Sequence, residues 1–264
     1  MPHELTYEVG SDTASALIED GARATSSGGT FFDIATVTVI VPALDEADNL
    51  PHVLPKIPAW VHEVILVDDH STDDTVAVAR RLMPDIRVVT NERPKGKGNA
   101  LQAGYEAATG DIIVQVDADG SEDPAEIHAF VGVLLAGADY AKGSRFIPGG
   151  GTSDMTFLRR SGNKAFVLMV RALFGYRFTD LCYGYNAFWA RVVPDLEIDA
   201  DGFEIETMLN IRAARRGLKI AEVPSYEADR IHGEGRLVTF PDGWRVLKTI
   251  GKERLAEWRE GRSR

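Results

Sequence analysis

Cysteine is almost absent from this chain: Cys182 is alone among 264 residues, so neither an intrachain disulfide nor a multi-cysteine zinc site can form. Flanked by Leu181 and Tyr183, that thiol reads as buried packing rather than as a nucleophile. Long apolar runs are missing as well. The longest candidate, Ala165 to Val170, sits between Lys164 and Arg171 and falls far short of the roughly 20 residues that span a bilayer. The start of the chain has no basic cluster leading into an apolar stretch, so no secretory signal is expected, and the cytoplasm, at most the inner face of its membrane, is the expected location. Positive charge is scarce: 29 Lys and Arg stand against 40 Asp and Glu, a net charge of −11. That balance opposes a nucleic-acid partner, whose phosphates need clustered cations, and serves solubility instead. No glycine fingerprint follows a strand, which removes dehydrogenase chemistry. Nor does a glycine-rich phosphate loop follow the first strand, as a sugar nucleotidyltransferase would require; Pro42-Ala43-Leu44-Asp45-Glu46 stands there.

What is present is the alternation of short apolar runs with amphipathic stretches that makes an α/β domain with a mostly parallel central sheet. Strands are predicted at Val37 to Val41, Glu63 to Val67, Arg87 to Thr90, Asp111 to Val116 and Tyr140 to Gly143, with helices starting near Asp48, Asp73, Gly98 and Pro124. Ser71 or Thr72 and Asp123 are expected to cap two of these helices. The loop Pro148-Gly149-Gly150-Gly151 is a lid candidate. A helix over 157–174, a strand over 185–190, a helix over 203–216 and a strand over 219–223 follow. The expected division is an acidic, flexible or loosely docked extension over 1–35, a catalytic domain over 36–240 and an amphipathic helix and tail over 241–264. That last helix packs on the domain, although its basic polar face would also suit peripheral contact with an anionic membrane.

Three strand exits carry acids: Asp45-Glu46, Asp68-Asp69 and Asp117-Ala118-Asp119. The carboxyl ends of parallel strands line the ligand crevice, so acids distant in sequence can meet there. If the strand stays extended, Asp117 and Asp119 point to one side and can share a Mg²⁺ or Mn²⁺ that also holds a phosphorylated ligand. Helix capping is the competing explanation for Asp45, Glu46, Asp68 and Asp69.

The order Val-Pro-Ala-Leu-Asp-Glu, Val-Asp-Asp-His-Ser-Thr-Asp-Asp-Thr, Lys-Gly-Lys-Gly-Asn-Ala, Val-Asp-Ala-Asp and Lys142-Gly143-Ser144-Arg145-Phe146 resembles family 2 glycosyltransferases of the GT-A fold, closest to the branch of dolichyl-phosphate-mannose synthases and polyprenyl-phosphate glycosyltransferases. The resemblance runs from about Val37 to Ile250. It implies a single GT-A domain and a nucleotide-sugar site in which Pro42, Ala43, Glu46 and Asp68 hold the base and ribose and Lys97 lies near the nucleotide. Asp117, Ala118 and Asp119 would line the site, the two aspartates holding a divalent ion, with His232 a further donor to the metal or the phosphates. Arg145, with Arg159 or Arg160, would face phosphate oxygens, as would Arg230 and Arg236 in a loop closing over the diphosphate.

The implied reaction is displacement with inversion, moving a hexose from a UDP- or GDP-sugar to an acceptor, foremost a polyprenyl phosphate, with Asp119 and Arg145 among the catalytic residues. A phosphate oxyanion needs no general base; a glycan or small-molecule hydroxyl does, and Asp180 and Glu204 or Glu206 are the candidates. A non-catalytic nucleotide-sugar binder is the alternative of another class. Leu44 and Asp45 replace the aromatic and asparagine commoner in the family, and Ser121 replaces a metal-binding glutamine, so the family's third protein ligand has no counterpart at that position.

Overall fold

A computed structural model describes residues 35–262; the extension expected over 1–35 lies, but for its last residue, outside the described residues. The runs richest in Val and Ile become the inner strands. β1 (Val37–Ala43), β2 (Glu63–Asp68), β3 (Arg87–Thr90) and β4 (Ile112–Gln115) form the first part of the sheet, and all four residues of β4 are buried, as a strand covered on both faces requires. β5 (Tyr140–Ser144), β7 (Asn186–Trp189) and β8 (Ile220–Pro224) complete seven strands in the order β3-β2-β1-β4-β7-β5-β8. β7 alone runs antiparallel to its neighbours, wedged between β4 and β5. Because β2 and β4 pair with opposite edges of β1, the strand order reverses at β1/β4, the place where a doubly wound sheet opens a crevice.

The helices are α1 (Leu50–Val53), α2 (Thr75–Leu82), α3 (Lys97–Ala107), α4 (Ile127–Leu135), α5 (Phe157–Phe174), α6 (Val193–Leu196), α7 (Ile205–Arg215) and α8 (Thr239–Arg262). One core joins α3 and α7 to the sheet through Leu101, Ile40, Phe188 and Leu209. A second joins α5, α7 and α8 through Val170, Ile211, Val246 and Ile250. Buried Glu253 of α8 bridges Arg212 (2.8 Å) and Arg215 (2.6 Å) of α7, so the last helix is fixed by charge as well as by apolar packing.

Two local expectations are corrected, and the cap expected at Asp123 holds. Asp73, not Ser71 or Thr72, receives the Thr75 N–H (2.9 Å) at the start of α2, while the Ser71 hydroxyl accepts the Asp45 N–H (3.0 Å). Asp123 does cap, accepting from Ala125 N (3.0 Å), but it opens a 3₁₀ turn over Pro124–Glu126 ahead of α4. The glycine-rich loop is stitched down rather than free: β6 (Gly151–Thr152) pairs with β9 (Tyr226–Glu227), and the Thr152 hydroxyl donates to Glu227 (2.6 Å).

The glycines at the start of α3 serve close packing. A Cβ on Gly98 would collide with the Ala200 carbonyl and one on Gly96 with that of Asp201. Gly98→Ala is therefore expected to cost about 1–3 kcal/mol through overpacking, read as a lower urea midpoint at unchanged slope. An unchanged midpoint would show that the 200–201 backbone yields freely.

Candidate functional site

A cavity of about 810 Å³ opens at the carboxyl ends of β1 and β4 and extends between α5 and α8. Its floor is charged. Val116 still bonds to β1 through its N–H and the Ile40 carbonyl (3.0 Å), but the chain then turns, so Asp117 and Asp119 do not alternate along a strand as expected. Both nevertheless line the cavity, as does Ala118. Asp117 binds Lys97 Nζ (2.8 Å), and the same ammonium binds Glu206 (2.9 Å). Burial works against that charge, yet Asp117, Glu206 and Glu122 hold the ammonium well above its ordinary pKa. Asp119 accepts the Ser121 N–H (3.0 Å) on one oxygen and Arg230 (3.3 Å) on the other.

Glu122 was not legible as a site residue, because an acid ahead of Asp123-Pro124 reads as helix-start decoration. Its carboxylate accepts the Asp117 N–H (2.9 Å) from a fully buried position, and burial followed by the Asp117 charge raises its pKa well above the carboxylate range. Gly184 abuts the same cluster; a Cβ there would lie 2.7 Å from Lys97 Nζ and 3.4 Å from Glu122. The signal that could have found both is the pairing of β7 with β4, which places the Tyr183-Gly184-Tyr185 segment beside the acids.

Pro42, Ala43 and Glu46 line the cavity at the end of β1. Asp69, rather than Asp68, is the lining residue at the end of β2. The Asp69 carboxylate accepts from Asn91 (2.6 Å) and Gly96 N (2.9 Å), whereas Asp68 turns back to cap Ser71 N (3.2 Å). Burial pushes Glu46 upward against the pull of Arg230, whose terminal nitrogen sits 2.6 and 2.5 Å from its two oxygens. Arg236 reaches the Leu44 carbonyl and Glu46 (3.3 Å). Arg230 and Arg236 thus bring the segment from Asp229 to Leu237 to the β1 side of the cavity.

Other assignments change. Arg145 lines the cavity, but its guanidinium is spent on Asp180 (2.7 and 2.9 Å) and Glu227 (3.1 and 3.0 Å) and stacks over Tyr183 at 4.7 Å. Asp180 is fully buried and, despite that burial, Arg145 keeps its pKa below the ordinary value, so it is an anchor rather than a free base. Glu204 does not line the cavity; it accepts the Gly202 N–H (3.2 Å) at the start of α7. Arg159 lines it, held by Asp154 (2.9 Å), while Arg160 stacks on Phe146 at 5.2 Å. The His232 ring rests against His52, centroids 5.5 Å apart, and does not line the cavity.

Among the described residues no group of three or more His, Cys, Asp or Glu side chains is arranged to hold a metal. Asp117 and Asp119 still suit Mg²⁺ or Mn²⁺, since such ions are commonly held by one or two carboxylates with the substrate's phosphates completing the shell. The far end of the cavity is apolar, walled by Leu158 and Phe166 of α5 and Phe240, Trp244 and Leu247 of α8. Phe157, Phe240 and Trp244 are exposed at 86%, 78% and 57%. No helix among the described residues is long and apolar enough to cross a membrane.

Residues 38–193 match the model of glycosyl transferase family 2. The chain is 30% identical to the polyprenol monophosphomannose synthase of Mycolicibacterium smegmatis, over 83% of this chain and 85% of that one. It is also 30% identical to the undecaprenyl-phosphate mannosyltransferase of Micrococcus luteus, over 86% and 98%. Among solved structures it is similar to glucosyl-3-phosphoglycerate synthase from Mycobacterium tuberculosis, in a complex with Mn²⁺, uridine diphosphate and phosphoglyceric acid, at a TM-score of 0.67 and 26% identity, over 84% and 79%. With its GT-A sheet, its acid-floored crevice and these relatives, the chain belongs to glycosyl transferase family 2 and is a glycosyltransferase.

Proposed function

We propose that the enzyme moves a hexose from a UDP- or GDP-sugar to a polyprenyl phosphate, with inversion at the anomeric carbon. The observation that carries the choice of acceptor is the continuity of one cavity from the charged floor to the apolar trough between α5 and α8, with Arg159 on the wall of that trough. An isoprenoid chain can lie against Leu158, Phe166, Phe240 and Trp244 while its phosphate meets the guanidinium. A polar acceptor such as phosphoglyceric acid, present in the mycobacterial neighbour, has no use for that trough. The relatives named for polyprenol and undecaprenyl phosphate support the same choice. A hydroxyl acceptor would need a base, yet Asp180 is locked by Arg145, Glu204 lies off the cavity and Glu206 is engaged by Lys97.

In this reading Pro42, Ala43, Glu46 and Asp69 face the nucleoside, and Arg230 and Arg236 take the diphosphate oxygens. Asp117 and Asp119 would hold a divalent ion, which when bound supplies Lewis-acid stabilisation of the departing diphosphate. Lys97 fixes the Asp117 carboxylate between itself and the Glu122-bound backbone. The exposed Phe157, Phe240 and Trp244 would rest in the headgroup layer, bringing the trough to its lipid.

The test is release of free UDP or GDP from a panel of nucleotide-hexoses, with polyprenyl phosphate in micelles, with 3-phosphoglycerate, or with neither. Release that depends on polyprenyl phosphate is the expected result. Release that depends on 3-phosphoglycerate would transfer the assignment to a polar acceptor, and a thermal shift with nucleotide but no release under any condition would make the protein a binder.

A further inference from the structure

The acids around the nucleotide end of the cavity are matched by cations that the chain itself supplies. Arg230 joins Glu46 to Asp119, and its Nε–H donates to the His232 carbonyl (2.6 Å), curling the segment back on itself. Asn49, 2% exposed, accepts the His232 N–H (2.9 Å) and donates to the His232 carbonyl (3.2 Å) and to Glu46 (2.6 Å). One buried amide therefore ties the backbone of the strap to the acid that grips Arg230. Ile231 covers the turn that bears Asp119: a Cβ on Gly120 would meet its Cδ1 at 2.5 Å, and the Ile231 N–H reaches the Asp119 carbonyl (3.3 Å).

We propose that Arg230 is a placeholder cation. In the nucleotide-free enzyme the Glu46–Asn49 latch holds it at Asp119, and a nucleoside diphosphate draws it away, so that a divalent ion binds tightly only together with the nucleotide. The proposal rests on the reading of Asp119 as a metal-holding residue. One Asp119 oxygen accepts the Ser121 N–H and the other faces Arg230, so a cation approaching that second oxygen meets a guanidinium of like charge. A diphosphate offers that guanidinium two oxygens in bidentate geometry, a better partner than one carboxylate oxygen at 3.3 Å. Relieving Arg230 of Asp119 and opening the site to the ion are then one event, and the two ligands are coupled through it.

The experiment is a Mn²⁺ titration of the full chain, with free ion read from its electron paramagnetic resonance signal, in the absence and presence of UDP or GDP. Wild type should bind Mn²⁺ weakly alone and at least about tenfold more tightly with nucleotide. Arg230→Gln should tighten nucleotide-free Mn²⁺ binding by about tenfold while weakening nucleotide binding, opposite signs that general loosening of the fold does not produce. Asn49→Ala keeps both charges and frees the strap, so it should shift nucleotide-free Mn²⁺ affinity in the same direction by less, which secures the test if Arg230→Gln folds poorly. Equal nucleotide-free affinity in wild type and both variants overturns the placeholder role. Unchanged Mn²⁺ binding by Asp119→Asn in the presence of nucleotide overturns instead the metal reading beneath it.

Discussion

Asp119→Ala is expected to lower kcat/KM for sugar transfer by at least about a thousandfold, the scale on which removing a group that stabilises the leaving charge acts. The residue sits in a turn after β4 rather than in the core, with its side chain 23% exposed, so melting temperature should hardly move. Arg230 keeps its two contacts with Glu46, which leaves the strap an anchor in the variant. The loss should therefore appear in catalysis and in the Mn²⁺-dependent part of the nucleotide thermal shift, not in folding. Initial rates with the best donor, across a Mn²⁺ series, check this; activity within tenfold of wild type and an unaltered shift would remove Asp119 from the site.

The second large effect is on stability. Arg145→Ala leaves Asp180, fully buried, and Glu227, nearly so, without their cation, and breaking a buried pair in this way costs roughly 3–5 kcal/mol. Urea denaturation reads the change, and Arg145→Met combined with Asp180→Leu should recover part of it, because the fully buried carboxylate is then removed and Glu227 alone is left without its cation. The pH dependence has a definite sign. Despite burial, which alone would raise it, Asp180 has its pKa held below the unfolded value by Arg145 and Lys142. Its contribution is present in full above the unfolded pKa of an aspartate and disappears as pH falls through the lower folded one. The stability gap between wild type and Arg145→Ala should accordingly narrow on acidification, and a gap constant down to strongly acidic pH would contradict the pairing.

Those two residues also show where the sequence was and was not readable. Arg145 and Asp180 both stood out, but as a phosphate ligand and a base working separately. Their mutual bidentate contact depends on the loop before β7 reaching back to the end of β5, a long-range meeting that no local pattern encodes. The strands at Glu63–Asp68 and Arg87–Thr90 and the helix at Phe157–Phe174 were legible because composition and period alone fix them. The reversed direction of β7 was not, since an apolar strand reads the same in either sense. Asp68 against Asp69 turned on a single residue of backbone rotation where β2 ends, and the sequence Asp-Asp offers nothing to separate the two. Asp117 and Asp119 were read together with Asp68, Arg145 and Arg230 because the order of motifs carried them, whereas Glu122, Gly184 and Asn49 needed the packed sheet to become visible.

The wedge of β7 between β4 and β5 has a consequence for biosynthesis. Among the described residues β5 bonds only to β7 and β8, both made after it, and β4 finds its second neighbour only in β7. A nascent chain that has not yet extended past Trp189 therefore carries one half-sheet with a bare apolar edge at β4 and an orphan strand at β5. Completion waits on contacts of long sequence separation, the kind that form late and invite mispairing between neighbouring chains. Translation pauses or truncations between Ser144 and Asn186 should be the positions at which this enzyme most needs a chaperone.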